Sequence, residues 1–381
     1  MGGAERSILD LASRFHARGN RVLMLVGQEL GRTTFVQEAA ERGIPVREVD
    51  WSPRRSLWAN LAAATRALRT VDARVLHLNI SWLWWMWVVP LVARVATRAR
   101  VIGTMRAMPD PHELVPTRRH FGFLPGMRLW HLEEVVTGFL LGRLFERTIS
   151  INARDFPLRL VRDYRFPRER IGVIYNGIDT SLPPRSWEER ARRRASLGVA
   201  PEEVLLCYAG RLSREKGLHL LIEALASLPK QIRLVIVGEG PQRAELEAQT
   251  QELSLSSRVA FIGFDRDAEG WMAASNVVVV PSTWYEAFGR VVVEAMAQGV
   301  PVVASRIGGM AELFEDGVHG YFVEAGSVPD LRRVLARLVG STAELQEMGH
   351  RGRSLVVERY SLERVEADYH REYVALAGPI R

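Results

Sequence analysis

Short apolar runs recur along this 381-residue chain with room for about one helix between each pair. In the second half they read "VLLCYAG", "IRLVIVG", "RVAFIG", "NVVVVPS" and "VPVVAS", each followed by a Gly-bearing turn and a helical segment. Runs of Val, Ile and Leu without polar alternation predict strands buried on both faces, hence parallel sheets covered by helices. The first half keeps the same rhythm with "RVLMLVG", "IPVREVD" and "RVLHLN". There "GAERSILDLASRFHARGN" puts Ile8, Leu9, Leu11, Ala12 and Phe15 on one helical face, with Gly19 as its stop. The pattern breaks in "NGIDTSLPPRSWEERARRR", at Pro183, Pro184 and a charged run. The reading is α/β: two Rossmann-like domains, 1–180 and 181–381, with the last helix (361–377) a candidate to cross back to the first.

Composition narrows the function classes. Hydrophobic residues make up 47% and charged residues 25%, a soluble globular balance. One cysteine, Cys207, leaves no disulfide framework and no cysteine-based metal site, which favours a reducing compartment. No basic stretch leads into an apolar one at the N-terminus, so a cytoplasmic location is expected. The net charge of +7 is uneven: residues 1–180 hold 27 Arg against 17 Asp and Glu, and the remainder is net negative. The first half is therefore expected to meet something anionic, either a phosphorylated acceptor or an anionic membrane surface. Zinc-finger spacing, RNP motifs and heptads are all missing, so nucleic acid is not an expected partner. An arginine-rich composition is the bland alternative, since only Lys216 and Lys230 are lysines.

Ligands of open α/β sheets bind beyond the carboxyl ends of the strands. Four turns there carry candidate chemistry. In "YAGRLSREKG", Arg211 could fork two oxygens of a diphosphate and Lys216 could act as a point charge. The alternative is a solvated turn. "VGEGP", with Gly238, resembles a phosphate loop but lacks the G-x-G-x-x-G spacing of a dinucleotide site, which argues against NAD. In "EAFGRVVVEAMAQGVPVVAS", Gly289 allows close backbone approach and a helix starting near Arg290 aims free amides outward. Glu286 before that helix and Glu294 within it could each accept from two hydroxyls of a diol. A phosphate at the helix start with a diol on either side describes a nucleoside diphosphate sugar. Otherwise Glu294 needs a basic partner, because an unpaired acid in an apolar helix costs several kcal/mol. The fourth turn is "MGGAERS", where Gly2 and Gly3 enter a helix.

Taken together, "GGAE", "YNGID", "AGRLSREKG", "VGEGP", "PSTWYEAFGRVVVEAMAQGVPVVAS" and "GGMAELFEDGVHGYFV" resemble family 4 of the retaining glycosyltransferases. The resemblance spans almost the whole chain, tightly over 171–325 and loosely over 30–170. It implies the GT-B fold of two facing Rossmann-like domains and a metal-independent transfer from a UDP- or GDP-linked sugar to a glycan, lipid-linked or small-molecule acceptor, with no cofactor. By the same resemblance, Arg211 and Lys216 bind the diphosphate, Glu294 takes the ribose hydroxyls and Glu286 the donor sugar. The backbone around Phe288, Gly289, Arg290 and Val291 meets sugar and phosphate, and Gly2 and Gly3 approach from the facing domain. "DRD" (Asp265–Asp267) matches the Asp-x-Asp of a different, metal-using fold, but it reads better as a helix start. A nucleotide-sugar epimerase of similar fold and a catalytically dead binder remain alternatives.

The chain departs from the family pattern twice. The family has a strand before the glycine pair, so either that strand lies upstream of Met1 or the first sheet lacks its central strand. Arg106 stands where the family commonly has a His, on the acceptor side, and His77 and His120 are not obvious substitutes. Finally, "SWLWWMWVVP" with Trp82, Trp84, Trp85 and Trp87 is too short and interrupted to span a bilayer. It reads either as buried helix or as an interfacial membrane patch, with "RHFGFLPGMRLWHLEEVVTGFLLGRLF" as a second candidate surface.

Overall fold

The computed structural model describes residues 2–27, 34–51, 56–80, 87–107, 126–338 and 342–378, without the side chains of 57, 126–134 and 342. The chain divides into two units, one formed by Met1–Gly177 with Leu362–Arg381 and the other by Ile178–Ser361.

The first unit carries β1 (Met24–Gly27), β2 (Val46–Val49), β3 (Val75–Ile80), β4 (Arg100–Met105), β5 (Arg147–Ser150) and β6 (Ile171–Val173). β1 and β2 form a parallel pair, and β3-β4-β5-β6 form a second parallel sheet in that order. The helix Gly3–Ala17 serves both pieces. Leu9 joins Val26, Phe35, Ala39 and Ile44, while Leu11 and Phe15 pack with Ile102, Ile149, Tyr369 and Tyr373. Among the described residues the strands of this unit thus form two separate sheets, bridged by this helix. Helix Leu362–Ala377 contributes the two tyrosines and so belongs to this unit's core.

The second unit carries β7 (Val204–Ala209), β8 (Ile232–Val237), β9 (Val259–Gly263), β10 (Val277–Val280), β11 (Val302–Ser305) and β12 (Gly320–Val323). They pair in the order β12-β11-β10-β7-β8-β9, and every pair is parallel. β7, β10 and β11 are buried at every position, as near-continuous apolar runs require. Helix Leu218–Ala226 covers one face through Leu221, Ile222 and Leu225 against Leu206, Ile236 and Val279. From β7 the chain winds outward to β8 and β9, then returns to start β10 on the other side of β7. The strand order therefore reverses between β7 and β10, and a crevice at their carboxyl ends is where such sheets bind ligands.

Trp82, Trp84, Trp85, His120 and residues 119–125 of the second candidate membrane surface lie outside the described residues; that stretch continues as the helix Gly126–Leu144, in which Leu141 is buried. Trp87 precedes the helix Val88–Ala96, whose Val88, Val89, Val92 and Ala93 are buried. Among the described residues no helix is long and apolar enough to cross a membrane.

Candidate functional site

Each side of the switch point in the second unit sends out one loop. The β7 loop runs Gly210–Gly217 and the β10 loop runs Pro281–Gly289, and Thr283 N–H bonds the Glu215 carbonyl at 2.9 Å to tie them together. Within the first loop the Tyr208 hydroxyl donates to the Arg211 carbonyl at 2.7 Å. Burial, then the charges of Glu286 and Glu215, push that phenol well up, so it stays a donor and fixes the backbone under Arg211. The Arg211 side chain is exposed and makes no hydrogen bond or ion pair among the described residues.

Lys216 and Glu286 meet. The ammonium of Lys216 donates to Glu286 Oε1, with the two side chains 32% and 20% exposed. The Ser282 hydroxyl donates to the same oxygen at 2.9 Å. The main chain of Glu286 is held as well, since its carbonyl accepts Gly309 N–H at 2.7 Å.

Gly289 caps the helix Arg290–Ala297 at φ 91°, a region closed to most side chains, and an added Cβ would sit 2.3 Å from Met310 Cγ. The sharp entry this permits points the first turn of the helix at the carboxyl edge of the sheet, where unsatisfied N–H groups and the helix dipole favour an anion. One turn in, Glu294 is 5% exposed and accepts from Arg290 Nε at 2.7 Å. The acid does have its basic partner, and it is the residue that opens its own helix. Phe288 turns its ring inward, edge-on to Tyr360 at 6.1 Å, so only its backbone can serve a ligand. Val291 is half-buried in the first turn.

Gly238, after β8, lies against the β7 loop: its N–H bonds the Gly263 carbonyl at 2.8 Å and a Cβ there would fall 1.9 Å from the Gly210 carbonyl oxygen. This glycine is required by close packing of two loops at the crevice.

The remaining predicted residues belong to the first unit. Gly2 is the N-cap of the helix Gly3–Ala17, both glycines are exposed, and Gly2 N–H donates to the Glu5 carboxylate at 2.6 Å. Arg106 follows β4 at 5% exposure, its guanidinium donating to Asn79 Oδ1 at 2.9 Å and to Asn176 Oδ1. Nearby, His77 is bonded through Nδ1 to the Tyr373 hydroxyl (2.6 Å) and through Nε2 to the Thr104 hydroxyl (2.7 Å). Burial, helped by the Arg106 charge, lowers its pKa to about 3, so the ring is neutral. The Asp-x-Asp pair is structural. Asp267 caps the helix Ala268–Ala274 and pairs with Arg185 and Arg193, and Asp265 accepts from Trp271 Nε1 at 2.7 Å.

Comparison with known proteins gives the family and the fold class. Residues 1–182 match the model described as Glycosyltransferase Family 4, and residues 189–355 match that of Glycosyl transferases group 1. A D-inositol 3-phosphate glycosyltransferase of Xylanimonas cellulosilytica is 34% identical over 354 residues, covering 85% of this chain and 80% of that protein. The chain belongs to the group 1 glycosyltransferases. An uncharacterized glycosyltransferase of Methanocaldococcus jannaschii is 33% identical over 211 residues, 53% of each chain, so only about half of that relative is spanned. The crystal structure of Anabaena HepE in complex with UDP and glucose superposes with a TM-score of 0.80 at 26% identity, covering 98% of this chain and 96% of that one. The α/β architecture of this glycosyltransferase, two units with parallel sheets, is that of the GT-B class.

Proposed function

We propose that this glycosyltransferase moves a hexosyl group, with retention at the anomeric carbon and without a metal ion, from a UDP- or GDP-linked donor to a glycan, lipid-linked or small-molecule acceptor. The observation that carries the reading is the convergence of Lys216, Glu286 and the Gly289-capped helix with its Glu294 at the switch point of one parallel sheet. HepE, whose structure holds UDP and glucose, supports the donor class. The inositol-phosphate relative is consistent with a hydroxylated, anionic acceptor, and the net positive charge of residues 1–180 suits such a partner.

In this reading Glu294 accepts from the ribose hydroxyls and Glu286 from the donor sugar, whereas Arg211, Lys216 and the first-turn amides hold the diphosphate. Gly238 leaves room for the backbone at the same crevice. As the bond between the anomeric carbon and the phosphate oxygen breaks, negative charge gathers on the diphosphate and the sugar becomes oxocarbenium-like. Fixed positive groups at the diphosphate therefore bind the transition state more tightly than the ground state. We assign acceptor recognition to the first unit, with Arg106 as its candidate residue, keep Gly2 and Gly3 as donor-binding candidates, and place the reaction at the cytoplasmic side with peripheral attachment to an anionic membrane.

The test is release of nucleoside diphosphate from UDP-glucose, UDP-N-acetylglucosamine and GDP-mannose, with and without inositol phosphate and lipid-linked acceptors. Release that rises with an acceptor and yields a glycoside supports the proposal. Release that ignores every acceptor points to epimerase-type chemistry, and donor binding without turnover points to a binding protein.

A further inference from the structure

The β10 loop holds a serine whose part in the site the motif does not announce. Ser282 is 1% exposed and spends its hydroxyl on Glu286 Oε1. Lys216 donates to the same oxygen, and among the described residues Oε2 carries no partner. Two donors on one oxygen leave the other oxygen open to a further donor.

The two donors differ in freedom. Lys216 stands on a flexible four-carbon stem, is about one-third exposed, and its charge is the mobile one. A diphosphate arriving at the β7 loop offers it more negative charge than a single carboxylate does. Ser282 is buried, short and bound to the loop that also carries Glu286, so it stays.

We infer that Ser282 is a positioning residue for Glu286: it keeps Oε1 engaged when Lys216 turns to the diphosphate, so that Oε2 remains aimed at a hydroxyl of the donor sugar. This rests on the donor site proposed above. The backbone of Glu286 is already pinned by Gly309, and Gly308 packs so tightly that a Cβ would lie 2.4 Å from the Glu286 carbonyl oxygen. The side-chain torsions are the freedom left to fix, and the Ser282 hydroxyl fixes them.

Calorimetric titration tests it with UDP, GDP, UDP-glucose and GDP-mannose against the wild type, Ser282→Ala, Glu286→Gln and the double variant. Ser282→Ala is expected to leave nucleoside diphosphate affinity unchanged and to weaken the nucleotide sugar about 5-fold, the scale of one hydrogen bond. In the Glu286→Gln background the same change should have no further effect, because Ser282 acts through that carboxylate. Ser282→Thr should restore sugar binding. If Ser282→Ala does not fold, Ser282→Cys, a weak donor of similar size, carries the same comparison. Equal weakening of both ligand types, or an undiminished effect on the Glu286→Gln background, overturns the inference. A wild type that binds neither nucleoside diphosphate overturns the donor-site reading, and this inference with it.

Discussion

Arg290 donates to the Glu294 carboxylate at 2.7 Å, one helical turn along, and both side chains are almost wholly buried. A charge held this deep needs a fixed partner, and here the partner opens the same helix whose N-terminus faces the crevice. Glu294 is therefore ordered before any ligand arrives. Glu294→Gln keeps the shape but removes the charge. Affinity for UDP or GDP is expected to fall about 10- to 100-fold, the loss of roughly 1.5–3 kcal/mol typical of hydrogen bonds to charged groups. Calorimetry on the folded variant checks it; unchanged nucleotide affinity removes Glu294 from the ribose.

Lys216→Ala is expected to lower transfer by ~10²-fold or more, as for loss of one preorganised charge partner in the transition state. The readout is turnover at saturating donor, with the melting midpoint as a control for folding. Near-normal turnover would take the diphosphate role away from Lys216.

Gly289→Ala forces a Cβ into a left-handed turn and against Met310. The strained backbone alone costs ~1–2 kcal/mol. For a unit of this size that lowers the melting midpoint by at least ~2–4 °C per kcal/mol. Thermal unfolding measures the drop, and donor affinity should fall with it because the helix entry moves. A variant with wild-type stability would mean that the turn relaxes without cost.

His77 gives the first unit a pH-dependent stability. Its folded-state pKa of about 3 lies below the ordinary value of 6.5, so the unfolded chain binds the proton more readily. The contribution is fully present above about pH 6.5 and is lost as pH falls toward 3. Across that window stability should drop by up to ~1.4 kcal/mol per pH unit from this residue. Urea unfolding between pH 4 and 7, compared with His77→Gln, isolates the slope: the variant should lose that part of it.

Much of the fold was legible because buried parallel strands leave a plain mark. "VLLCYAG", "IRLVIVG" and "NVVVVPS" became β7, β8 and β10, and the face Ile8, Leu9, Leu11, Ala12 and Phe15 packs as its periodicity implied. β5, β6 and β12 were not singled out; β5, for one, carries a single isoleucine among Arg, Thr and Ser, which leaves no apolar run to read. In the candidate site, Glu286, Lys216 and Gly289 stand out by type and spacing, and the structure brings Lys216 and Glu286 together. Ser282 was not, since a serine after a strand reads as ordinary turn chemistry until its hydroxyl is seen on Glu286. The pairing of Arg290 with Glu294 has an i,i+4 signature, and it supplies the basic partner that an acid in an apolar helix requires. The network of Asn79, Asn176, Thr104 and Tyr373 around Arg106 and His77 joins residues up to 296 positions apart, which no local pattern encodes.

If the switch point between β7 and β10 is a nucleotide-sugar donor site, a nucleoside diphosphate must stabilise the folded chain. Thermal unfolding with UDP, GDP, ADP and NAD, each at large excess, tests it most directly. Ligand at ~100 times its dissociation constant adds ~2.7 kcal/mol, several degrees in the melting midpoint. UDP or GDP should raise the midpoint, NAD should not, and Glu294→Ala should abolish the shift. No shift with any nucleoside diphosphate, or a shift that survives in Glu294→Ala, would contradict it.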